Sequence, residues 1–184
     1  MPIQKNEPMQ NNNKSVEVTV TYLEQNERPI LATPVRPHQK TALMRAEEPP
    51  VHFYRYLYQL VGEPYNWISR RDMTDSKLAE IIHDPAVYIY VLYVDGVPGG
   101  FAEIDGRART SHDIRFFGLA PDLTGAGLGR YFLTHIVNMA WDLSPKRLRV
   151  ETSSLDHPAA LPLYQQFGFQ VFNRQTRTVK LASP

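Results

Sequence analysis

Three alternating glycines, Gly125, Gly127 and Gly129, stand between a predicted strand and a predicted helix in the segment PDLTGAGLGR. A glycine-rich turn lets the backbone approach a ligand closely. The N–H groups at a helix start, together with the helix dipole, then favour an anion. The segment therefore predicts a site for a pyrophosphate. A glycine-rich turn that binds no ligand is the alternative interpretation.

Two better-known phosphate motifs do not fit this segment. A P-loop requires GxxxxGK[ST], and the sequence contains no such run. A dinucleotide fingerprint requires GxGxxG, but the sixth position counted from Gly125 is Arg130. The chain also has no cysteine, no HExxH pair and no GxSxG elbow. These absences argue against a disulfide, a metal site, a cysteine nucleophile and a serine esterase.

Periodicity along the chain predicts the elements that must position this loop. Val16 to Leu23 alternates as a strand, and helices are predicted over 51–61 and 74–83, the second capped by Thr74. Residues 24–50 contain five prolines and are predicted to hold a short strand near 30–32 and then a long connection. The remaining predicted elements are strands over 87–94 and 99–104 joined by an Asp95-Gly96 turn, a strand over 111–119, a helix over 128–143, a strand over 147–152, a helix over 158–167, and a final strand pair over 169–172 and 176–181.

This order of elements predicts an α+β fold with one mostly antiparallel sheet and helices on both faces. The 184 residues suggest a single domain over 16–184, preceded by a polar tail over 1–15. The formal net charge of +1 gives no support for nucleic acid or an anionic membrane as a partner. The sequence has no run of about 18 apolar residues and no apolar stretch at its N-terminus, so it predicts a cytoplasmic protein.

The loop and two other segments together resemble the GNAT acetyltransferases. The pyrophosphate loop of that family has the pattern Q/R-x-x-G-x-G/A after a strand and before a long helix, and Thr124 to Gly129 (TGAGLG) is similar to it. The segment PAALPLYQQFGF is similar to the family's A-x-x-L-Y-x-x-x-G-F, and VLYVDGVPGGFAEI is similar to its central hairpin. The resemblance covers residues 87–181. It implies the acyl-CoA N-acyltransferase fold, with acetyl-CoA (coenzyme A) as co-substrate.

Two positions depart from the family pattern. Thr124 stands where Gln or Arg is usual, so its N–H and hydroxyl would replace a charged phosphate contact, with Arg130 as a partial substitute. His157 occupies a place where many members have Asn. The resemblance implies that coenzyme A is bound by Phe117, Gly118, Leu119, Thr124, Gly125, Ala126, Gly127, Leu128, Gly129, Arg130 and His157.

Acetyl transfer to an amine needs a base for the amine, a donor to the thioester oxygen and an acid for the leaving thiolate. The resemblance implies that Tyr164 is the acid. It also implies that the Leu119 N–H is the oxyanion donor, on a strand that splays from its neighbour. The candidate bases are Glu103 on the hairpin and Asp113 at the start of the next strand. The alternative for each of these two is a solvated strand residue, and His112 and His157 are candidate proton relays.

The acceptor pocket is predicted to come from the first helix and the loop after it. Tyr54, Glu63 and Trp67 combine aromatic faces with one acid, a set that can receive a cationic amine through cation–π contact. The alternative is that the aromatic residues of this helix belong to the core, which the spacing of Tyr54 and Tyr58 supports. Trp67 lies beyond the helix and is the stronger pocket candidate.

The sequence therefore predicts an N-acetyltransferase that moves acetyl from acetyl-CoA to a primary amine of a small molecule or peptide, by direct attack in a ternary complex. The absence of cysteine agrees with a reaction that has no covalent enzyme intermediate. A non-catalytic acyl-CoA-binding regulatory module of the same fold is the alternative, and an enzyme that acetylates a macromolecule is a third. No metal is expected, and a homodimer is compatible with the family.

Overall fold

The chain forms strands and helices in the mixed order that its sequence predicts. The computed structural model describes residues 15–108 and 110–181. Within these ranges the elements are β1 (Ser15–Gln25), β2 (Thr41–Ala46), α1 (Val51–Gly62), α2 (Asp75–Ile82), β3 (Val87–Val94), β4 (Val97–Asp105), β5 (His112–Leu119), α3 (Leu128–Asp142), β6 (Leu148–Ser153), α4 (Ala160–Gln166) and β7 (Gln170–Lys180). Short 3₁₀ helices at Glu63–Tyr65 and Pro121–Leu123 follow α1 and β5.

Local sequence signals explain the two best-defined junctions. Asp95 and Gly96 both have positive φ, 50° and 91°, which is the geometry of a type I′ turn, and they join β3 to β4. The Thr74 side chain accepts a hydrogen bond from the Lys77 N–H and so caps α2. The predicted hairpin and the predicted helix cap are both confirmed.

The strands form one sheet in the order β2-β3-β4-β5-β6-β1-β7. Of the pairs in the described sheet, β5 with β6 is parallel and the others are antiparallel. β5 carries one extra residue, Arg115, because Ile104 pairs with Ile114 while Glu103 pairs with Phe116. This bulge reverses the face of the sheet that each following side chain of β5 occupies.

Two apolar cores lie on opposite faces of the sheet. The first packs α3 and α4 against the strands and includes Phe132, Ile136 and Tyr164. The second packs α1 and α2 against β3 and β4 and includes Leu57 and Leu78. Each fully enclosed large apolar side chain contributes about 1.5–3 kcal/mol, so the two cores fix the helices on the sheet. The predicted α+β class, with helices on both faces of a mostly antiparallel sheet, is confirmed.

The proline-rich connection differs from the prediction. β2 lies inside it at Thr41–Ala46, and residues 30–32 form no strand. Arg28 donates to Asp142 of α3, and Leu31 packs on the first core, so this segment runs beside α3 instead. β2 is an edge strand whose one partner is β3, and its sequence TALMRA shows little apolar alternation for that reason.

The predicted C-terminal strand pair is also wrong. One strand, β7, extends from Gln170 to Lys180 and pairs with β1. Its polar stretch over 173–176 has the composition of a turn, but it is an exposed part of the second edge strand. The predicted tail over 1–15 lies outside the described residues except for Ser15, the first residue of β1. Among the helices of the described ranges, none has the length and apolar character needed to cross a membrane.

Candidate active site

The parallel strands β5 and β6 separate after a short stretch of pairing. Residues 112–114 of β5 pair with residues 148–150 of β6, and in the described sheet their pairing does not continue past Ile114. A gap therefore opens between residues 116–119 on one side and residues 151–153 on the other. β5 thus splays from its neighbour as the family resemblance implies.

Backbone direction in β5 places two N–H groups on the side of this gap. The Ala120 N–H donates to the Gly99 carbonyl at 2.8 Å, so it faces β4. Successive N–H groups of a strand point to opposite sides, and the Leu119 N–H therefore points away from β4. The same alternation directs the Phe117 N–H to the gap. These amides are available to a ligand that enters between the strands.

The glycine loop ends in a helix start without a side-chain cap. Gly125 and Gly127 have φ of 83° and 77°, the left-handed region that glycine adopts without steric cost. Gly127 is the N-cap residue of α3, and no side chain accepts a capping hydrogen bond from the N–H groups in the first turn of this helix. The N–H groups of Leu128, Gly129 and Arg130 have no acceptor within the helix. The loop therefore offers amide donors and the positive end of the helix dipole to an anion.

Thr124 and Arg130 both form hydrogen bonds within the protein. Thr124 donates both its N–H, at 3.2 Å, and its hydroxyl, at 2.9 Å, to the Pro121 carbonyl. The Arg130 guanidinium donates to the Gln166 side chain and lies 5.8 Å from the centre of the Phe167 ring. The Thr124 donors and one edge of the Arg130 guanidinium are thus engaged within the protein, and their contacts to a phosphate stay predictions. The anion site depends on backbone amides.

The other predicted cofactor residues lie around the loop and the gap. Ala126 is exposed in the glycine loop. Gly118 faces α1, and a Cβ at this position would meet Val61 Cγ1 at 2.4 Å. His157 lies before α4, where its Nδ1 accepts the Ala159 N–H at 3.1 Å. Gly118 is therefore needed for the close approach of α1, and His157 helps to shape the turn into α4.

Tyr164 of α4 projects into the first core beside the gap. Its ring centre lies 6.4 Å from that of Phe117 and 6.0 Å from that of Phe169. Burial raises the pKa of the Tyr164 hydroxyl far above its ordinary value, and the nearby Asp156 carboxylate adds to the increase. The hydroxyl therefore keeps its proton through the neutral and alkaline range. This protonation state is the one that an acid requires.

Asp156 is a functional candidate that sequence patterns do not reveal. Its Oδ1 accepts the Trp67 indole N–H at 3.2 Å, and its Oδ2 accepts the Thr152 hydroxyl at 2.9 Å and the Ser153 N–H at 2.7 Å. These three donors fix a carboxylate at the end of β6, close to Tyr164. The signal in the sequence is weak, because an Asp in SSLDHP is typical of any turn between a strand and a helix.

Glu103 is buried in an ion pair and presents neither oxygen to a substrate. The residue is 0% exposed, its Oε1 accepts from Arg70 at 2.6 Å, and its Oε2 accepts from the Tyr54 hydroxyl at 2.5 Å. In this arrangement neither oxygen is free to take a proton from an amine, so the structure gives no support to the predicted role of Glu103 as the base. The Arg70 N–H also donates to the Tyr58 hydroxyl at 3.3 Å. The ion pair thus connects the loop that carries Trp67, residues 66–74, to β4 and α1.

A Glu103→Gln variant is expected to lose stability more than turnover. Gln retains the volume and a contact to Tyr54 but leaves the buried Arg70 without a counter-charge, so the free energy of unfolding should fall by roughly 3–5 kcal/mol. Urea denaturation followed by circular dichroism measures this loss. The control is Glu47→Gln, because the pair of Glu47 with Arg45 is exposed and 3.9 Å long and contributes less than about 1 kcal/mol. A turnover loss of about a hundredfold with unchanged stability would instead support Glu103 as the base.

Asp113 lies at the paired end of β5, away from the open part of the gap. Burial raises the pKa of its carboxyl, and Arg115 and Arg149 oppose the increase. The strand between Asp113 and Leu119 spans about 20 Å at roughly 3.3 Å per residue. Asp113 is therefore far from the Leu119 N–H, and this placement gives no support to its predicted role as the base. His112, the candidate relay, lies at the same distant end.

Two cavities flank the loop that carries Trp67. The helix cavity, about 500 Å³, lies between α1 and this loop, and its lining includes all three predicted substrate residues. The gap cavity, about 310 Å³, lies over the separated ends of β5 and β6. Its lining includes Trp67, Phe116, Thr152, Ser153 and Asp156, with Val18 and Val20 of β1 and Arg177 of β7.

The three predicted substrate residues differ in what they can reach. Tyr54 is fully buried, its hydroxyl is bonded to Glu103, and it packs as a core residue, so its contact with the acceptor stays a prediction. Glu63 is exposed and lines the helix cavity. Trp67 lines both cavities, and its ring centre lies 5.2 Å from that of Phe116 beside the gap. Of the three, Trp67 is the residue that borders the gap.

Comparisons with known proteins identify the class to which this fold and gap belong. A family model described as the acetyltransferase (GNAT) family matches residues 54–169, which is more than half of the chain. The chain therefore belongs to the GNAT acetyltransferase family. No curated protein sequence matches it.

Solved structures with the same fold include three named acetyltransferases. A GCN5-related N-acetyltransferase from Kribbella flavida is 16% identical with a TM-score of 0.60, over 92% of this chain and 61% of that chain. The IAA acetyltransferase from Bacillus cereus is 21% identical with a TM-score of 0.53, over 73% and 79%. An aminoglycoside N-acetyltransferase in complex with CoA is 13% identical with a TM-score of 0.53, over 74% and 91%. This chain thus spans about three fifths of the Kribbella protein, and these similarities show the shared fold.

Proposed function

We propose that this protein is an N-acetyltransferase that transfers acetyl from acetyl-CoA to a primary amine of a small molecule or peptide. The amine attacks directly in a ternary complex. The observation that carries the proposal is the meeting of three features at one gap between strands. These are the uncapped start of α3, the outward N–H of Leu119 and the protonated hydroxyl of Tyr164. Membership of an acetyltransferase family supports the same reaction class.

The residues around the gap fit coenzyme A. The first-turn amides of α3 suit its pyrophosphate, because no side chain competes for them. The Phe117 N–H, which points into the gap, suits its amide-bearing arm. When bound, acetyl-CoA supplies the activated acetyl thioester. Within residues 15–108 and 110–181, no group of three or more His, Asp or Glu side chains could hold a metal ion, and the proposal requires none.

Three groups of the chain then divide the chemistry among them. The Leu119 N–H donates to the oxygen on which negative charge builds as the N–C bond forms. The Tyr164 hydroxyl gives its proton to the sulfur as the C–S bond breaks, and it regains a proton from solvent. Asp156 attracts the protonated amine into the gap cavity. The proton that the amine loses before attack passes to solvent.

Release of free thiol from acetyl-CoA, measured against a panel of polyamines, amino acids, aminoglycosides and peptides, tests the proposal. We expect release that depends on the amine, and an Asp156→Asn variant should raise the acceptor KM about tenfold. Asp142→Asn is the control, because Asp142 is exposed at the far end of α3. Acetyl-CoA binding without any amine-dependent release would instead favour the non-catalytic acyl-CoA-binding module.

A further inference from the structure

The gap cavity carries opposite charges on two different sides. Asp156 lies at the end of β6, where three donors hold it. Arg177 of β7 also lines the cavity, and in the described part of the chain no acid lies within ion-pair distance of it. Arg115, the other arginine of this lining, pairs with Glu151 at 3.7 Å. Among the described residues, Arg177 is thus the arginine of this cavity that has no ion-pair partner.

β1 forms an apolar floor between the two charges. Val20 pairs with Ser153 of β6, and Val18 pairs with Arg177 of β7. Side chains of directly paired residues share a face of the sheet, so Arg177 projects on the same side as Val18. The side chains of Val18 and Val20 are 2% and 1% exposed, so this floor is buried.

The sheet register sets the distance that a ligand must bridge. The Ser153 and Arg177 backbones are two strand spacings and two residues apart, on the order of 12 Å. A hydrogen bond from the Ser153 N–H holds the Asp156 carboxylate near the Ser153 backbone. The Arg177 side chain extends from its own backbone over part of this distance. A molecule that contacts both charges must therefore have its own two charges several bonds apart.

We propose that the acceptor carries an anionic group several bonds from its amine, and that Arg177 binds this group while Asp156 attracts the amine. A guanidinium binds carboxylate and phosphate through paired hydrogen bonds, so either anion satisfies the site. A polyamine would instead bring a second positive charge against Arg177. This inference rests on the proposed function, and it narrows the acceptor to amino-acid-like molecules.

Steady-state thiol release with matched acceptors tests this assignment. The acceptors are ω-amino acids of increasing length, the corresponding aminoalkyl phosphates, the neutral amides of the same acids, and polyamines. We expect kcat/KM for an acid to exceed that for its amide by about tenfold or more. The preference should be largest when more than about two carbons separate the charges, because of the span between the strands.

Variants of β7 then identify the residue responsible. Arg177→Gln should lower kcat/KM for the acids about tenfold and change that for the amides less than about twofold. Arg174→Gln is the matched control, because Arg174 is an exposed arginine three residues earlier and therefore on the opposite face of the same strand. This control should leave both values unchanged.

The possible results separate this inference from the proposed function. Equal use of acids and amides, better use of polyamines, or a preference that survives Arg177→Gln would overturn the role of Arg177 while acetyl transfer stands. A preference for carboxylates over phosphates, or the reverse, identifies which anion the site takes. If acetyl-CoA binds but no acceptor releases thiol, the proposed function fails and this inference fails with it.

Discussion

A Gly127→Glu variant should lose affinity for acetyl-CoA by about a hundredfold or more. Gly127 is the N-cap residue of α3 with a φ of 77°, so any side chain there is strained. A carboxylate at this position also places a negative charge where the helix start would receive a pyrophosphate. Isothermal titration calorimetry with acetyl-CoA measures the change, and circular dichroism checks that the variant is folded.

Two alanine variants separate charge from backbone strain in this experiment. Gly127→Ala carries the strain without the charge and should have an intermediate affinity. Gly96→Ala is the matched control, because Gly96 also has a left-handed φ, 91°, and open space around its Cβ, but lies in the turn between β3 and β4. Its affinity should stay within about twofold of the unmodified protein. If Gly127→Glu binds acetyl-CoA as tightly as Gly96→Ala does, the anion site is not at this loop.

A Tyr164→Phe variant should lower kcat by about 10²–10⁴-fold while acetyl-CoA binding changes little. The variant removes only the hydroxyl, and the ring keeps its packing against Phe117 and Phe169. The leaving thiolate then has no positioned proton donor. The initial rate of thiol release at saturating concentrations of both substrates gives kcat, and calorimetry gives the affinity for acetyl-CoA.

The pH profile tests whether the Tyr164 hydroxyl stays protonated over the working range. Burial raises the pKa of Tyr164, so its hydroxyl remains protonated as the pH rises through the ordinary tyrosine value of about 10. Tyr164→Phe should therefore lower kcat by the same factor at every pH below about 10, without changing the shape of the profile. Tyr56→Phe, at an exposed tyrosine of α1, is the control. Full activity of Tyr164→Phe would remove this residue from the mechanism.

Elements with strong periodicity are the ones that the sequence predicts well. α3 is amphipathic because one of its faces is buried, and β3 is a continuous β-branched and aromatic run because most of its residues are buried. Burial of this kind requires apolar residues at regular positions, so both elements can be predicted from the sequence. The sequence does not predict β2, and it predicts two strands in place of β7. Both are edge strands that pair on one side only and are largely exposed. Their polar residues, such as those over 173–176, therefore have the composition of loops.

Backbone chemistry in the site is readable from sequence, but side-chain placement is not. The glycines at 125 and 127 predict left-handed backbone conformations before a helix, and both residues have positive φ. Nothing in the local sequence reveals that Thr124 bonds to the Pro121 carbonyl, or that Glu103 is enclosed. Asp156 meets Trp67 across 89 residues of chain, a contact that tertiary packing alone creates.

The most direct test of acetyl transfer follows the acetyl group itself. The protein is incubated with acetyl-CoA labelled in the acetyl carbons and with the best acceptor of the panel, and the acceptor and the protein are then analysed separately by mass spectrometry. We predict that the label appears on the acceptor nitrogen, and that none remains on the protein whether or not acceptor is present. Label on a protein side chain that chases to the acceptor would contradict direct attack, and an unlabelled acceptor would contradict acetyl transfer.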